Sequence, residues 1–205
     1  VKLLVATRSG GKQTEARRIL EAAGHEILFP DDAGLLERPE EAGLESGDSF
    51  ESNARRKAEY FARLSGLPTL ADDSGLEVLS LGGAPGVRSK RWAGVAGSGT
   101  EVDAANNAEL VRRLRGAPEA RRRARYRCVL VLIRWTRAVP EVFEGACGGR
   151  ILEAPDGNGG FGYDPLFWSD DLGKSFGQAS AEEKDSVSHR GRALARVVEA
   201  LKGHN

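Results

Sequence analysis

Apolar and polar residues alternate along the chain in two periods. Leu3 to Ala6 is a short continuous apolar run that predicts a buried strand. Lys12 to Ala23 then places Ala16, Ile19, Leu20 and Ala23 at helical spacing, so the chain opens as strand, glycine-containing loop, helix. Glu26 to Phe29 predicts a second short strand, and the acidic stretch from Pro30 to Gly47, punctuated by Gly and Pro, predicts mostly loop. From Ser49 to Leu64 a helix is predicted, with Ser49 as its N-cap and Phe50, Ala54, Ala58, Phe61 and Ala62 as its apolar face. Leu67 to Ala71 and Leu76 to Leu81 read as strands on either side of Asp72-Asp73-Ser74-Gly75, whose last two residues are a turn signal. "GGAPGVRSKRWAG" (82–94) predicts a loop, and Thr100 to Leu114 a helix with Leu110, Val111 and Leu114 inward. "ARRRARYRCVLVLIRW" (120–135) passes from a basic run into a dense aliphatic strand, with Val142 to Ile151 as its expected antiparallel neighbour. Leu152 to Phe176 is loop-rich, and Ser188 to Leu201 predicts a closing helix with Leu194, Val197, Val198 and Leu201 inward.

Strands alternating with amphipathic helices define an α/β chain, and 205 residues without repeats or a linker point to one domain spanning 1–205. The 30 Lys plus Arg balance the 30 Asp plus Glu, so no global charge recruits nucleic acid or an anionic membrane. The run Arg121 to Arg127 reads as a solvated helix end or strand edge, because it leads straight into a buried strand and carries Tyr126 as its lone aromatic. Cys128 and Cys147 have neither CxxC spacing nor a His cluster and read as buried free thiols. The apolar run at residues 1–7 is too short for a signal peptide, no stretch reaches membrane-span length, and a cytoplasmic location is expected.

Four segments carry candidate chemistry. "ATRSGGKQTE" (6–15) takes a strand through Ser9-Gly10-Gly11-Lys12 into a helix, gathering backbone N–H groups, the positive end of the helix dipole and an ammonium, which suits phosphate. It is not a Walker A loop, and an ordinary strand-to-helix turn fits the same residues. In "LESGDSFESNARRKA" (44–58), Glu45 and Lys57 read either as surface charges or as two arms of one site. The adjacent carboxylates Asp72 and Asp73 fit either a polar turn or a metal and general-base site. "DGNGGFGYDPLF" (156–167) sets Phe161, Tyr163 and Asp164 among four glycines, either to stack on a flat ligand or to pack their own loop. In "EEKDSVSHRG" (182–191), Lys184, His189 and Arg190 gather cations near a helix start, where an anion or a base oxygen would relieve their repulsion from the dipole.

Taken in this order, "ATRSGGKQTE", "ESGDSFESNARRKA", "ADDSGLEVLSLGGAPGVRSKRWAG", "GGFGYDPLF" and "EEKDSVSHRGRAL" resemble the inosine triphosphate pyrophosphatase family over nearly the whole chain. The resemblance implies an elongated mixed β-sheet flanked by helices, in two lobes with a central substrate cleft, and assembly as a homodimer. It implies Mg2+-dependent hydrolysis of ITP, dITP and XTP at the α-β phosphoanhydride, cleansing the nucleotide pool. By the same resemblance Thr7, Arg8, Ser9, Gly10, Gly11 and Lys12 cradle phosphates, Lys57 contacts phosphate, Glu45 and Asp73 serve the metal, and Asp73 accepts the proton with Lys12 assisting. Asp72, Ser74 and Gly75 line the substrate, Phe161, Gly162, Tyr163 and Asp164 hold base and sugar, and Lys184, His189 and Arg190 complete the pocket. Two positions depart from the family pattern: Ser9 stands where Asn is usual and has a shorter reach, and Arg8 stands where Gly is common.

Overall fold

A computed structural model describes residues 1–135 and 139–202; positions 136–138 and 203–205 of the expected 1–205 domain lie outside the described residues. The strands are β1 (Lys2–Val5), β2 (Glu26–Leu28), β3 (Thr69–Val78), β4 (Arg123–Ile133), β5 (Glu141–Ile151), β6 (Phe167–Ser169) and β7 (Lys174–Ser175). They form one sheet in the order β2-β1-β3-β4-β5-β6-β7. β1 pairs in parallel with β2 and β3, whereas β6 is antiparallel to β5 and β7, so the sheet is mixed as expected. The helices are α1 (Gly10–Ala22), α2 (Phe50–Ser65), α3 (Gly99–Arg113), α4 (Ala181–Val187) and α5 (His189–Lys202). The chain divides into two compact units, one of Val1–Asp73, Cys128–Gly145 and the stretch from Arg190 onward, the other of Ser74–Arg127 and Ala146–His189.

In the first unit the strand period of two sorts side chains between two helical layers. Leu3, Val5, Leu70, Cys128, Leu130 and Leu132 pack with Ala16 and Leu20 of α1 and Leu194, Val197 and Leu201 of α5. Leu4, Ala6, Ala71 and Val131 pack instead with Ala54, Ala58 and Phe61 of α2. Each fully buried aliphatic side chain here contributes about 1.5–3 kcal/mol. α2 begins where the Ser49 side chain accepts from Ser52 N and stops at Gly66, whose φ of 67° suits a residue without Cβ.

The second unit has its own core, in which Tyr126, Phe167 and Phe176 meet at ring-centroid distances of 4.7 and 5.0 Å around Leu76, Leu110 and Ile151. α3 starts in a reciprocal Ser98–Glu101 capping box. Buried Arg122 donates to the carbonyls of Leu114 and Ala117 just past the end of α3, while Arg123 pairs with Asp170 and Arg125 with Glu77, so this basic run is neutralised locally. Gly149 on β5 lies so close to the Trp168 carbonyl and the Phe167 ring that a Cβ would collide with both. Gly149→Ala is therefore expected to cost about 1–3 kcal/mol, read as a lower midpoint in urea unfolding.

Several expectations need correction. No turn interrupts Asp72 to Gly75: β3 runs straight through them to Val78, because nearly every position of the strand is buried and a break would strand its polar backbone. The strand predicted to reach Leu81 ends there, and Leu79–Leu81 is a 3-10 turn. The stretch from Pro30 to Gly47 contains a 3-10 turn at Pro39–Gly43, and the loop-rich region 152–176 contains β6 and β7, too short to leave a periodicity. The closing helix expected from Ser188 to Leu201 is present as α5 (His189–Lys202), and a further short helix, α4, precedes it with Ser188 extended between the two.

Candidate active site

β1 lies between β2 and β3, so the chain leaves it to one side through α1 and returns on the other through α2. Such a reversal opens a crevice beyond the carboxyl ends of parallel strands. Thr7 to Lys12 follow β1 there, and Asp72 and Asp73 extend past the last β1–β3 pair, Val5 with Leu70. The Ser9 side chain makes no cap to α1, whose first turn holds no acid, so the amides of that turn remain oriented toward an incoming anion. Ser9 N donates to Thr7 Oγ1 at 3.2 Å and Gln13 Nε2 to the Thr7 carbonyl at 3.0 Å, which ties the loop to α1.

Adjacent in sequence, Asp72 and Asp73 point to opposite faces of the sheet. Asp72 joins the layer of α1 and α5: Lys12 Nζ lies 3.0 Å from its Oδ2, and Arg190 donates to the same oxygen from Nη2 at 3.2 Å. Arg190 is fixed from its other end by Glu15 Oε2 at 2.5 Å, and Asp72, Glu15 and Arg190 are all buried. Burial pushes the Asp72 carboxyl up, but Lys12 and Arg190 outweigh it and hold the group well below the usual carboxylate range. For Lys12, burial opposes the charge and Asp72 and Glu45 restore it, so the ammonium is held more firmly than in water.

Asp73 joins the α2 layer. Asn53 Nδ2 donates to its Oδ2 at 2.8 Å, while Asn53 Oδ1 accepts from Gly47 N at 2.7 Å. Nearby, Lys57 donates to Glu45 in a very short contact. Burial raises the Asp73 carboxyl to about 6; Lys12 opposes the rise, Glu45 adds to it, and Lys57 and the Asn53 amide pull it back. A carboxylate in this range is ionised at neutral pH yet basic enough to take a proton from water. The two acids are thus divided between the faces, Asp72 pairing with Lys12 and Arg190 and Asp73 accepting from Asn53.

Arg8 is engaged elsewhere. Its guanidinium grips Glu41 at 2.6 and 2.8 Å, Asp31 at 2.6 Å and the Leu35 carbonyl at 3.0 Å, so it ties down the acidic segment that leads to Glu45. Asn53 and Glu15 are the functional neighbours that sequence reasoning missed. Their signal was helical spacing, since Asn53 lies one turn before Lys57 and Glu15 three residues after Lys12.

In the second unit, Asp164 is the hub of the glycine loop. Its carboxylate accepts from Phe161 N at 2.8 Å and from Lys184 Nζ at 2.5 Å, and it is buried. Lys184 Nζ also lies 4.7 Å from the centroid of the half-buried Phe161 ring. Gly160, at φ 70°, leaves room that a Cβ would take from the Asp164 carboxylate. Gly162 is held at both of its backbone polar groups by α3: its N–H donates to Asp103 Oδ2 and its carbonyl accepts from Asn107 Nδ2, each at 2.9 Å. Tyr163 sits in the core with its hydroxyl donating to the Ser89 carbonyl at 2.7 Å, so its side chain serves the fold. His189 is buried and stacks on Tyr126 with centroids 4.5 Å apart. Ser74 is half-buried and Gly75 buried, both within β3.

Among the described residues, no group of three or more His, Cys, Asp or Glu is arranged to hold a metal by itself. Glu45 and Asp73 nevertheless form a pair of hard oxygen donors whose negative charges oppose each other, a donor set that suits Mg2+ sharing its remaining positions with phosphate oxygens and water. No helix among the described residues is long and apolar enough to cross a membrane.

Residues 3–200 match the model of the Ham1 family. A dITP/XTP pyrophosphatase of Syntrophobacter fumaroxidans is 48% identical over 95% of this chain and 79% of its own length. The solved structure of the Staphylococcus aureus Ham1 protein superposes with a TM-score of 0.82 at 32% identity, covering both chains fully. That of a nucleoside-triphosphatase / dITP/XTP pyrophosphatase from Mycobacterium abscessus has a TM-score of 0.71 at 41% identity over 96% of this chain and 98% of that one.

Proposed function

Because the chain belongs to the Ham1 family, we propose that it hydrolyses the non-standard purine triphosphates ITP, dITP and XTP to monophosphate and pyrophosphate. The observation that carries this reading is the placing of Asp73, a buried carboxylate held by Asn53, with Lys12, Lys57 and the first-turn amides of α1, a setting suited to attack on a polyphosphate.

Lys12 and the first-turn amides of α1 bind phosphate oxygens, and Lys57 adds a second ammonium. Glu45 and Asp73 hold Mg2+, which when bound supplies neutralisation of the charge on the phosphates. Asp73 takes a proton from the attacking water as the new bond forms to the α-phosphorus and the α-β anhydride opens, leaving pyrophosphate. Asn53 keeps one Asp73 oxygen occupied and so aims the other. Asp72 keeps Lys12 in place with Arg190 and Glu15 behind it.

Phe161 offers a face for the purine, with Lys184 and Asp164 fixing the loop. Hypoxanthine and xanthine present a 6-oxo acceptor that a backbone N–H satisfies, whereas adenine presents a donor and leaves that partner unsatisfied. Guanine shares the 6-oxo group, so its rejection acts on the 2-amino substituent. The family resemblance further supports a cytoplasmic homodimer, which light scattering tests directly.

Steady-state turnover with Mg2+ on ITP, XTP, GTP and ATP, with pyrophosphate and orthophosphate quantified separately, tests the proposal. Pyrophosphate from ITP and XTP, with at least about tenfold lower kcat/KM on ATP and GTP, is the expected outcome. Orthophosphate as the product would overturn it.

A further inference from the structure

The Phe161 loop is not held by its own residues alone. Gly162, the residue after Phe161, adopts φ 63° and gives both of its backbone polar groups to α3. Asp103 and Asn107 are four residues apart, so they stand one above the other on a single face of that helix. Asn107 Nδ2 also donates to the Asp103 carbonyl at 2.9 Å, which fixes the amide's orientation, and Lys90 Nζ lies 2.8 Å from the other Asp103 oxygen. Neighbouring Asn106, buried, binds a second loop: it accepts from Ala93 N at 2.8 Å and donates to the carbonyls of Ser89 and Lys90. Tyr163 OH meets the same Ser89 carbonyl. One helix face thus fastens the segments 89–93 and 161–163 to a common support.

We propose that Asp103 and Asn107 are positioning residues for purine binding, acting by clamping Gly162 and thereby the plane of the Phe161 ring. The proposal rests on the reading that this loop takes the base. The N–H and C=O of Gly162 belong to the peptide groups on either side of it, so the two bonds fix both planes and with them the backbone that carries the Phe161 ring. The ring attached one residue earlier is then presented at a fixed angle before a ligand arrives, and no binding free energy is spent on ordering it. Asp103 supplies the stronger of the two anchors because its acceptor is charged.

Kinetics on ITP with Asp103→Ala, Asn107→Ala and Asp103→Asn test this, alongside Phe161→Ala and inhibition by inorganic tripolyphosphate, which has phosphates and no base. Loss of either anchor is expected to raise KM for ITP about tenfold with kcat changed less than about threefold. The inhibition constant of tripolyphosphate should stay unchanged. Asp103→Asn should recover most of the loss, since its side-chain oxygen still accepts from Gly162 N–H. Adding Asp103→Ala to Phe161→Ala should produce no further rise, because the clamp has then nothing to aim. Parallel losses of ITP and tripolyphosphate binding would show a general structural role and overturn the proposal. A raised KM in Phe161→Ala with silent clamp variants would overturn the proposal while leaving the base reading standing. An unchanged KM in Phe161→Ala would overturn both.

Discussion

Asp73→Asn is expected to reduce ITP turnover by about 10³-fold or more while making the metal-free protein more stable above pH 6. The amide keeps the shape of the side chain and can still accept from Asn53 Nδ2, but it cannot take a proton. The sign of the stability change follows from the raised carboxyl. Its folded value, about 6, exceeds the ordinary 3.8, so its favourable contribution is complete below about pH 4 and is lost as pH rises through 6. The ionised acid therefore costs about 3 kcal/mol at pH 8, at 1.36 kcal/mol for each unit of displacement, and a neutral amide relieves that cost. Thermal melts at pH 8 and pH 4 check this: the variant should melt several degrees higher at pH 8, and the gap should close at pH 4. A variant with near-native turnover would remove Asp73 from the role of base. The same acid would then stand as an example of stability given up for catalysis without the catalysis.

Asp72→Ala is expected to act in the opposite sense, destabilising the protein by about 3–5 kcal/mol, or about 10 °C in melting temperature. Removing this carboxylate leaves Lys12 and Arg190 facing each other in the layer of α1 and α5. Glu15 offsets part of the charge on Arg190, and Glu45 part of that on Lys12. A double variant that also replaces Arg190 with Met should lose less than the sum of the single changes, because the second substitution removes one of the stranded cations. In the wild type the Asp72 contribution is present above about pH 4 and is lost as pH falls through its lower folded value; Asp72→Asn should lack that acid limb. Equilibrium urea unfolding at pH 7 and pH 3 measures both effects.

Much of the fold was legible where periodicity was long. α2, α3 and α5 are 14 to 16 residues long and carry apolar faces, and β1 from Leu3 and β4 from Cys128 to Ile133 are continuous apolar runs. What escaped were elements with too few residues to show a period, β6 and β7, and one element whose signals pointed the wrong way. Ser74-Gly75 is a turn signal by local propensity, yet the burial of β3 keeps the strand extended through it. At the site, the acids and lysines were legible as residue types in ordered motifs. Their pairing was not: that Arg8 serves Glu41 and Asp31, or that Arg190 is anchored by Glu15 175 residues away in the chain, depends on which helix lies on which face of the sheet. Asn53 is uncharged and Glu15 ordinary on a helix, so neither stood out until the folded chain placed a buried partner beside it.

The opposed directions of Asp72 and Asp73 carry a consequence for how the chain reaches its folded state. A slip of β3 by one residue against β1 would exchange the faces of every side chain on the strand. Asp73 would then meet Lys12 and Arg190 in place of Asp72, Asp72 would turn into the α2 layer where Ala71 now packs with Ala54 and Ala58, and Leu70 and Ala71 would change layers. In most strands a register error is penalised through apolar mismatch alone. Here two buried charges of unlike environment are added, so the dipeptide that divides the chemistry also acts as a registration mark, and a misaligned sheet is disfavoured before any substrate is met.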